Sequence, residues 1–127
     1  MKLALDTNRY GDFVRGDAKS VEIIHSAAAV FIPFIVLGEL RAGFASGNRA
    51  GSNETILTRI LNSPTVSVLN ADQETTLVYA ALCQQRRVAG TPIPTNDIWI
   101  AALVIQHDLI LFTRDKHFEK IPQLARI

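Results

Sequence analysis

Four acidic residues of this 127-residue chain stand where a solvated surface does not account for them. Asp6 closes the apolar run from Lys2 in Leu5-Asp6-Thr7-Asn8, and Asp115 follows a second run in Phe112-Thr113-Arg114-Asp115. Open α/β sheets bind ligands just beyond the carboxyl ends of their strands, so both positions suit a site. The alternative for Asp6 is the cap of the next helix, and for Asp115 a turn residue beside Arg114 and Lys116. Glu39 has Ile35, Val36, Ala42 and Gly43 as helical neighbours, none polar, which puts its carboxylate on the stripe that faces the protein. A Glu is almost never buried without a partner, and a buried ion pair with an Arg is the alternative reading. Asp97 falls in a first helical turn, where the helix dipole favours an acid. The apolar Ile100 and Ala101 nevertheless direct it along the core-facing half.

Such a set needs a cation or extra protons, because two like charges 4 Å apart repel by about 4 kcal/mol at an effective dielectric of about 20. The set contains no His or Cys, so its donors are hard oxygens, which select Mg²⁺ or Mn²⁺ over zinc. His25, His107 and His117 share no motif with the acids and read as surface residues. Without the four acids, eight remain against thirteen Lys and Arg, a surplus of five positive charges. An acidic metal pocket on a basic body suits a polyanionic substrate, with phosphates held by basic side chains. Arg9, Arg15, Arg41 and Arg114 lie near the motifs; they are candidates for that role or ordinary solvated arginines.

The elements that must position these residues follow from apolar spacing and breakers. Lys2 to Leu5, Val30 to Ile32, Val66 to Leu69 and Leu109 to Phe112 read as short buried strands. Residues 7 to 28 read as two helical pieces broken near Gly16 and Asp17, and Pro33 suits the first turn of a helix carrying Glu39. Further helices are expected over 53 to 62, from Asp72 to Arg87 and from Asn96 to His107. The third of these groups Ile98, Ala101, Ala102 and Ile105 on its buried face, and the second groups Leu77, Val78, Ala81 and Leu82. Gly90 ends the second helix, and a stiff loop through Pro92 and Pro94 fixes where the next begins. A short turn or helix runs through Phe118. Strands alternating with helices imply a parallel sheet covered on both faces, an α/β/α three-layer sandwich.

Length and composition support one domain, residues 1–127. With 48% apolar and 20% charged residues the chain is an ordinary globular protein and not a disordered one. No apolar run is long enough to span a bilayer, and no signal-peptide core precedes Asp6. A single cysteine, Cys83, excludes an internal disulfide and fits a reducing compartment, so a cytoplasmic location is expected.

The chain resembles the PIN-domain proteins, specifically the VapC-type toxins of bacterial toxin–antitoxin pairs. The resemblance covers essentially the whole length and rests on four motifs in order. These are Leu5-Asp6-Thr7-Asn8, Glu39-Leu40-Arg41-Ala42-Gly43, Asn96-Asp97-Ile98-Trp99-Ile100-Ala101-Ala102 and Thr113-Arg114-Asp115. It implies a parallel sheet of strand order 3-2-1-4-5 with an acidic pocket above the central strands. It further implies a Mg²⁺- or Mn²⁺-dependent endoribonuclease that cleaves cellular RNA, tRNA or another structured RNA. Asp6 and Asp97 would be the principal metal ligands, Glu39 and Asp115 would complete the set directly or through water, and Thr113 matches the small hydroxyl residue near the site. The implied chemistry is in-line attack of an activated water, leaving 5′-phosphate and 3′-hydroxyl ends. The implied partners are a second copy of the chain and a small antitoxin laid over the helices near the pocket, offering a basic side chain to the acids. Phe31, Phe34 and Phe44 belong either to the core or to such a groove. Two non-enzymatic readings compete. A phospho-acceptor receiver fits poorly, since Val66 to Leu69 is followed by Asn70-Ala71-Asp72 and lacks the acceptor position. A catalytically silent PIN-like module that binds protein or RNA would have no use for the intact acidic set. Nucleases acting on DNA or maturing ribosomal RNA share the same chemistry.

Overall fold

The structure, a computed structural model, describes residues 1–127. Four strands, β1 (Lys2–Leu5), β2 (Ala29–Pro33), β3 (Val66–Leu69) and β4 (Ile110–Phe112), form one parallel sheet in the order β3-β2-β1-β4. Between them run α1 (Thr7–Val14), α2 (Ala18–Ser26), α3 (Phe34–Ser46), α4 (Ala50–Leu61), α5 (Gln73–Ala89) and α6 (Thr95–Gln106). A 3-10 helix, Lys116–Lys120, follows β4. This is the expected three-layer α/β/α arrangement. Its central strand β1 is apolar on both faces because both are covered: Leu3, Ala4 and Leu5 are at most 2% exposed.

Strand order reverses between β1 and β4, so their carboxyl ends open a crevice. The β1–β4 ladder continues one residue past β1, where the Asp6 N–H donates to the Phe112 carbonyl at 3.2 Å. The fifth place in the sheet is taken by the last three residues alone. Leu111 N–H donates to Ala125 O, Ile127 N–H to Leu111 O and Thr113 N–H to Ile127 O, around a single bridge between Leu111 and Arg126.

Three details differ from the sequence expectation. Pro33 ends β2 instead of opening the helix: its φ of −56° suits either role, but its ψ of 139° is extended, and it pairs with Leu69. On α5 the buried side is rotated, with Thr75, Leu82 and Arg86 inside while Leu77 is 65% exposed and Ala81 also faces out. Thr75 sets this rotation, since its hydroxyl bonds Gln106 at the end of α6 and its backbone N–H bonds the Asp72 cap. Tyr79 and Trp99 then stack between the two helices, 3.6 Å apart and 12° from parallel. On α4, Leu57 alone is buried, and Ile56 lies at the surface. Gly90 closes α5 in the left-handed conformation, φ 66°, as a glycine at that position does without strain. No helix is long and apolar enough to cross a membrane.

Candidate active site

Each of the four acids is set in place by a different element. Asp6 leaves β1 and caps α1: Oδ1 accepts from the Thr7 N–H at 2.8 Å, and Oδ2 accepts from the Thr113 hydroxyl at 2.6 Å. The residue is only 5% exposed. Glu39, in the second turn of α3, faces inward as its apolar neighbours require. It has no arginine partner; the Thr7 hydroxyl donates to its Oε1 at 2.9 Å. Asp97 sits in the first turn of α6 with its side chain 13% exposed. Asp115 caps the 3-10 helix, accepting from the His117 N–H at 2.9 Å, while its own N–H donates to Thr113 Oγ1 at 3.0 Å. Thr113, itself buried, therefore joins two of the four acids through one hydroxyl.

Burial acts on the two inner carboxyls, those of Asp6 and Asp97. Burial holds the Asp6 carboxyl above its ordinary range; the hydrogen bonds from Thr113 and Thr7 oppose this, and the charges of Asp97 and Glu39 add to it. Asp97 is raised in the same way, first by burial, against the His117 hydrogen bond and with repulsion from Asp115 and Glu39. Thr7 links Asp6 to Glu39, Thr113 links Asp6 to Asp115, and His117 links Asp115 to Asp97, so the four acids meet at the crevice. The capping alternative for Asp6 holds as well, and Asp115, expected at most as a turn residue, caps the 3-10 helix while facing the cluster. An all-oxygen set whose two inner members are unfavourable as bare anions fits a hard divalent cation.

One histidine reading is extended. His117 lies at the surface with a half-exposed side chain, but it is joined to the acids: its Nδ1 lies 2.8 Å from Asp97 Oδ2 and 3.3 Å from Asp115 Oδ1. Its place two residues after Asp115 is the signal that the sequence offers. His25 and His107 are exposed as expected, the former edge-on to Phe13.

The arginines separate into two groups. Arg41 pairs with Glu54 at 2.7 Å on the exposed side of α3 and α4. Arg9, Arg15 and Arg114 gather instead on Asp12, at 3.2, 2.8 and 3.0 Å. Arg114 approaches with Nε and Nη2 together, a two-pronged contact. Asp12 is held at about 2, chiefly by the hydrogen bond from Arg114. Three cations around one anion leave a basic flank beside the acidic crevice, and the Arg9 guanidinium lies 4.7 Å from the centre of the Phe112 ring. Of the three phenylalanines, Phe34 is 44% exposed while Phe31 and Phe44 pack partly buried against the core.

Comparison with known proteins agrees with this geometry. The family model described as PIN domain matches residues 3–124. Ribonuclease VapC4 of Mycobacterium tuberculosis is 30% identical over 98 residues, covering 76% of this chain and 74% of that protein. The plasmid stability protein StbB of Pseudomonas syringae pv. tomato is 32% identical over 103 residues, covering 78% of this chain and 70% of the relative. Among solved structures, VapBC2 from Rickettsia felis, bound to a DNA fragment from its promoter, superposes with a TM-score of 0.91. That alignment covers 100% of this chain and 98% of the other at 23% identity. The family model spans nearly the whole chain, the ribonuclease relative matches three quarters of it and the fold superposes throughout, so this chain belongs to the PIN-domain family as a VapC-type member.

Proposed function

We propose that this chain is the toxin of a toxin–antitoxin pair, a Mg²⁺- or Mn²⁺-dependent endoribonuclease acting on cellular RNA in the cytoplasm. The observation that carries the reading is the convergence of Asp6, Glu39, Asp97 and Asp115 from four elements on one crevice, where Thr7, Thr113 and His117 join them by hydrogen bonds. Its likeness to a ribonuclease over three quarters of both chains supports the same chemistry. Asp6 and Asp97 would hold the cation, with Glu39 and Asp115 completing the set. A bound divalent ion supplies acidification of water and neutralisation of the charge that develops on the phosphate. The protein groups supply position. Thr113 and Thr7 fix both oxygens of Asp6, Thr7 also holds Glu39, and before the ion binds His117 holds Asp97. Carboxylates so fixed would hold the ion where water can attack phosphorus opposite the 3′-oxygen; the P–O3′ bond then breaks, the 3′-oxygen takes up a proton, and 5′-phosphate and 3′-hydroxyl ends result.

The basic flank of Arg9, Arg15 and Arg114 suits the RNA backbone adjoining the cleaved phosphate. A VapB-like antitoxin would silence the enzyme, a reading supported by the likeness of the fold to a toxin–antitoxin complex from Klebsiella pneumoniae, and the active unit would be a homodimer. The test is cleavage of total RNA by purified protein freed of partner, with Mg²⁺ or with EDTA. Wild-type protein should give metal-dependent fragments. Asp97→Asn should lower the rate by at least about a hundredfold while keeping the fold. Folded wild-type protein that cleaves nothing would favour an RNA- or protein-binding module, and equal cleavage by the variant would remove Asp97 from the site.

A further inference from the structure

We propose that His117 completes a mixed nitrogen–oxygen cation site with Asp97 and Asp115, and that this site takes Mn²⁺ in preference to Mg²⁺. The inference rests on the metal-dependent reading of the acidic crevice and extends it to a residue outside the acidic set.

Nδ1 of His117 lies 2.8 Å from Asp97 Oδ2 and 3.3 Å from Asp115 Oδ1. One donor atom from each of the three residues falls within 4.8 Å of the others. Two ligand atoms on adjacent corners of an octahedron with bonds of about 2.1 Å are about 3.0 Å apart, and the two measured separations bracket that value. A neutral imidazole with its proton on Nδ1 can bond only one of the two carboxylates at a time. With the proton on Nε2, Nδ1 offers a lone pair on the ring edge that lies 2.8 and 3.3 Å from the two carboxylate oxygens.

The three residues are also held without a ligand. Asp115 is fixed by the Thr113 hydroxyl and by the His117 N–H, so the histidine backbone is tied to the same carboxylate that its ring faces. Asp97 is carried by α6, whose following residues are almost wholly buried. The His117 side chain is 45% exposed, so the crevice is open on that side to an incoming ion. The donor chemistry then decides the cation. Mg²⁺ is bound through oxygen and gives up water reluctantly, whereas an imidazole nitrogen raises affinity for first-row transition ions. An all-carboxylate set would not separate Mn²⁺ from Mg²⁺ in this way.

Pulsed electron paramagnetic resonance of the full-length protein with one equivalent of Mn²⁺ tests the assignment. The expected result is a ¹⁴N coupling on the bound Mn²⁺ that disappears in His117→Gln and persists in His25→Gln and His107→Gln. In competition titrations, His117→Gln should weaken Mn²⁺ binding by about tenfold or more and Mg²⁺ binding by less than about threefold. If His117→Gln does not fold, the nitrogen signal of wild-type protein and of the two other variants still decides the point. Bound Mn²⁺ without nitrogen coupling overturns the proposal, leaving His117 as a hydrogen-bond partner of Asp97 and the carboxylate site intact. Absence of Mn²⁺ binding by folded wild-type protein overturns the proposal and the metal-dependent reading together.

Discussion

Thr113 shows how much one side chain carries in this crevice. Its hydroxyl donates to Asp6 Oδ2 at 2.6 Å and accepts the Asp115 N–H at 3.0 Å, and the residue is 7% exposed. Because Asp6 is buried, that hydrogen bond supports a charge that water cannot reach. Thr113→Val keeps the shape and removes both bonds, at an expected cost of about 1.5–3 kcal/mol, the usual range for a hydrogen bond to a charged group. Thr113→Ser keeps the hydroxyl and should lose less than about 1 kcal/mol. Urea unfolding at pH 7 distinguishes them, and a Val variant as stable as wild type would show that Asp6 does not depend on the bond. At this scale the sequence was readable where chemistry shares a residue type. The apolar neighbours of Glu39 and Asp97 correctly announced their inward direction, and Thr113 was singled out through its motif. His117 escaped because its role depends on the turn that Asp115 caps, which brings the ring back to Asp97 across twenty residues of sequence.

Elements position the site partly through contacts made away from it. Asp12, on α1, gathers Arg9 and Arg15 of its own segment and Arg114 from the loop after β4, and so ties the first helix to the loop that carries Asp115. Its carboxyl is at about 2 when folded, against an ordinary 3.8. A lowered acid contributes stability above its unfolded value and loses it as the pH falls through the folded one. Asp12→Asn should therefore be less stable than wild type at pH 7, by on the order of 1 kcal/mol, since the Arg15 and Arg114 side chains are half or more exposed and screened. The gap should close between about pH 4 and pH 2. Thermal unfolding across that range reads it, and a gap independent of pH would assign the loss to something other than the ion pairs. Element order was legible because strands that are apolar throughout and helices with one apolar stripe follow different periods. What was not legible lay in the third dimension. Leu77 looks like a core residue by type, but the bond between Thr75 and Gln106 turns α5 so that it faces outward. The last strand is reduced to residues 125–127, and no run of apolar residues marked it.

The whole molecule is arranged so that its best-packed layer ends in its least favourable charges. The sheet that buries Leu3, Ile32 and Leu111 completely delivers Asp6 to the crevice, and α6, nearly all buried, delivers Asp97. Both carboxyls are raised by burial first and by neighbouring acids besides. For an acid raised on folding, the native state binds more protons than the unfolded chain between the ordinary and the raised values. Stability of the metal-free protein therefore falls as the pH rises through that window. A divalent cation binds the ionised form and opposes the loss, adding about 2.7 kcal/mol when present at a hundred times its dissociation constant. The melting temperature should consequently respond little to Mg²⁺ at pH 4 and rise by several degrees at pH 7.5. Asp97→Asn removes one of the repelling charges and part of the site at once. It should melt roughly 3 °C above wild type without metal at pH 7.5 and lose most of the metal-induced rise. Differential scanning calorimetry of both proteins with Mg²⁺ and with EDTA gives the four values needed. A metal response equal at both pH values would mean that the ion binds away from the crevice. A variant destabilised without metal would mean that the hydrogen bond from His117 outweighs the repulsion of Asp115 and Glu39.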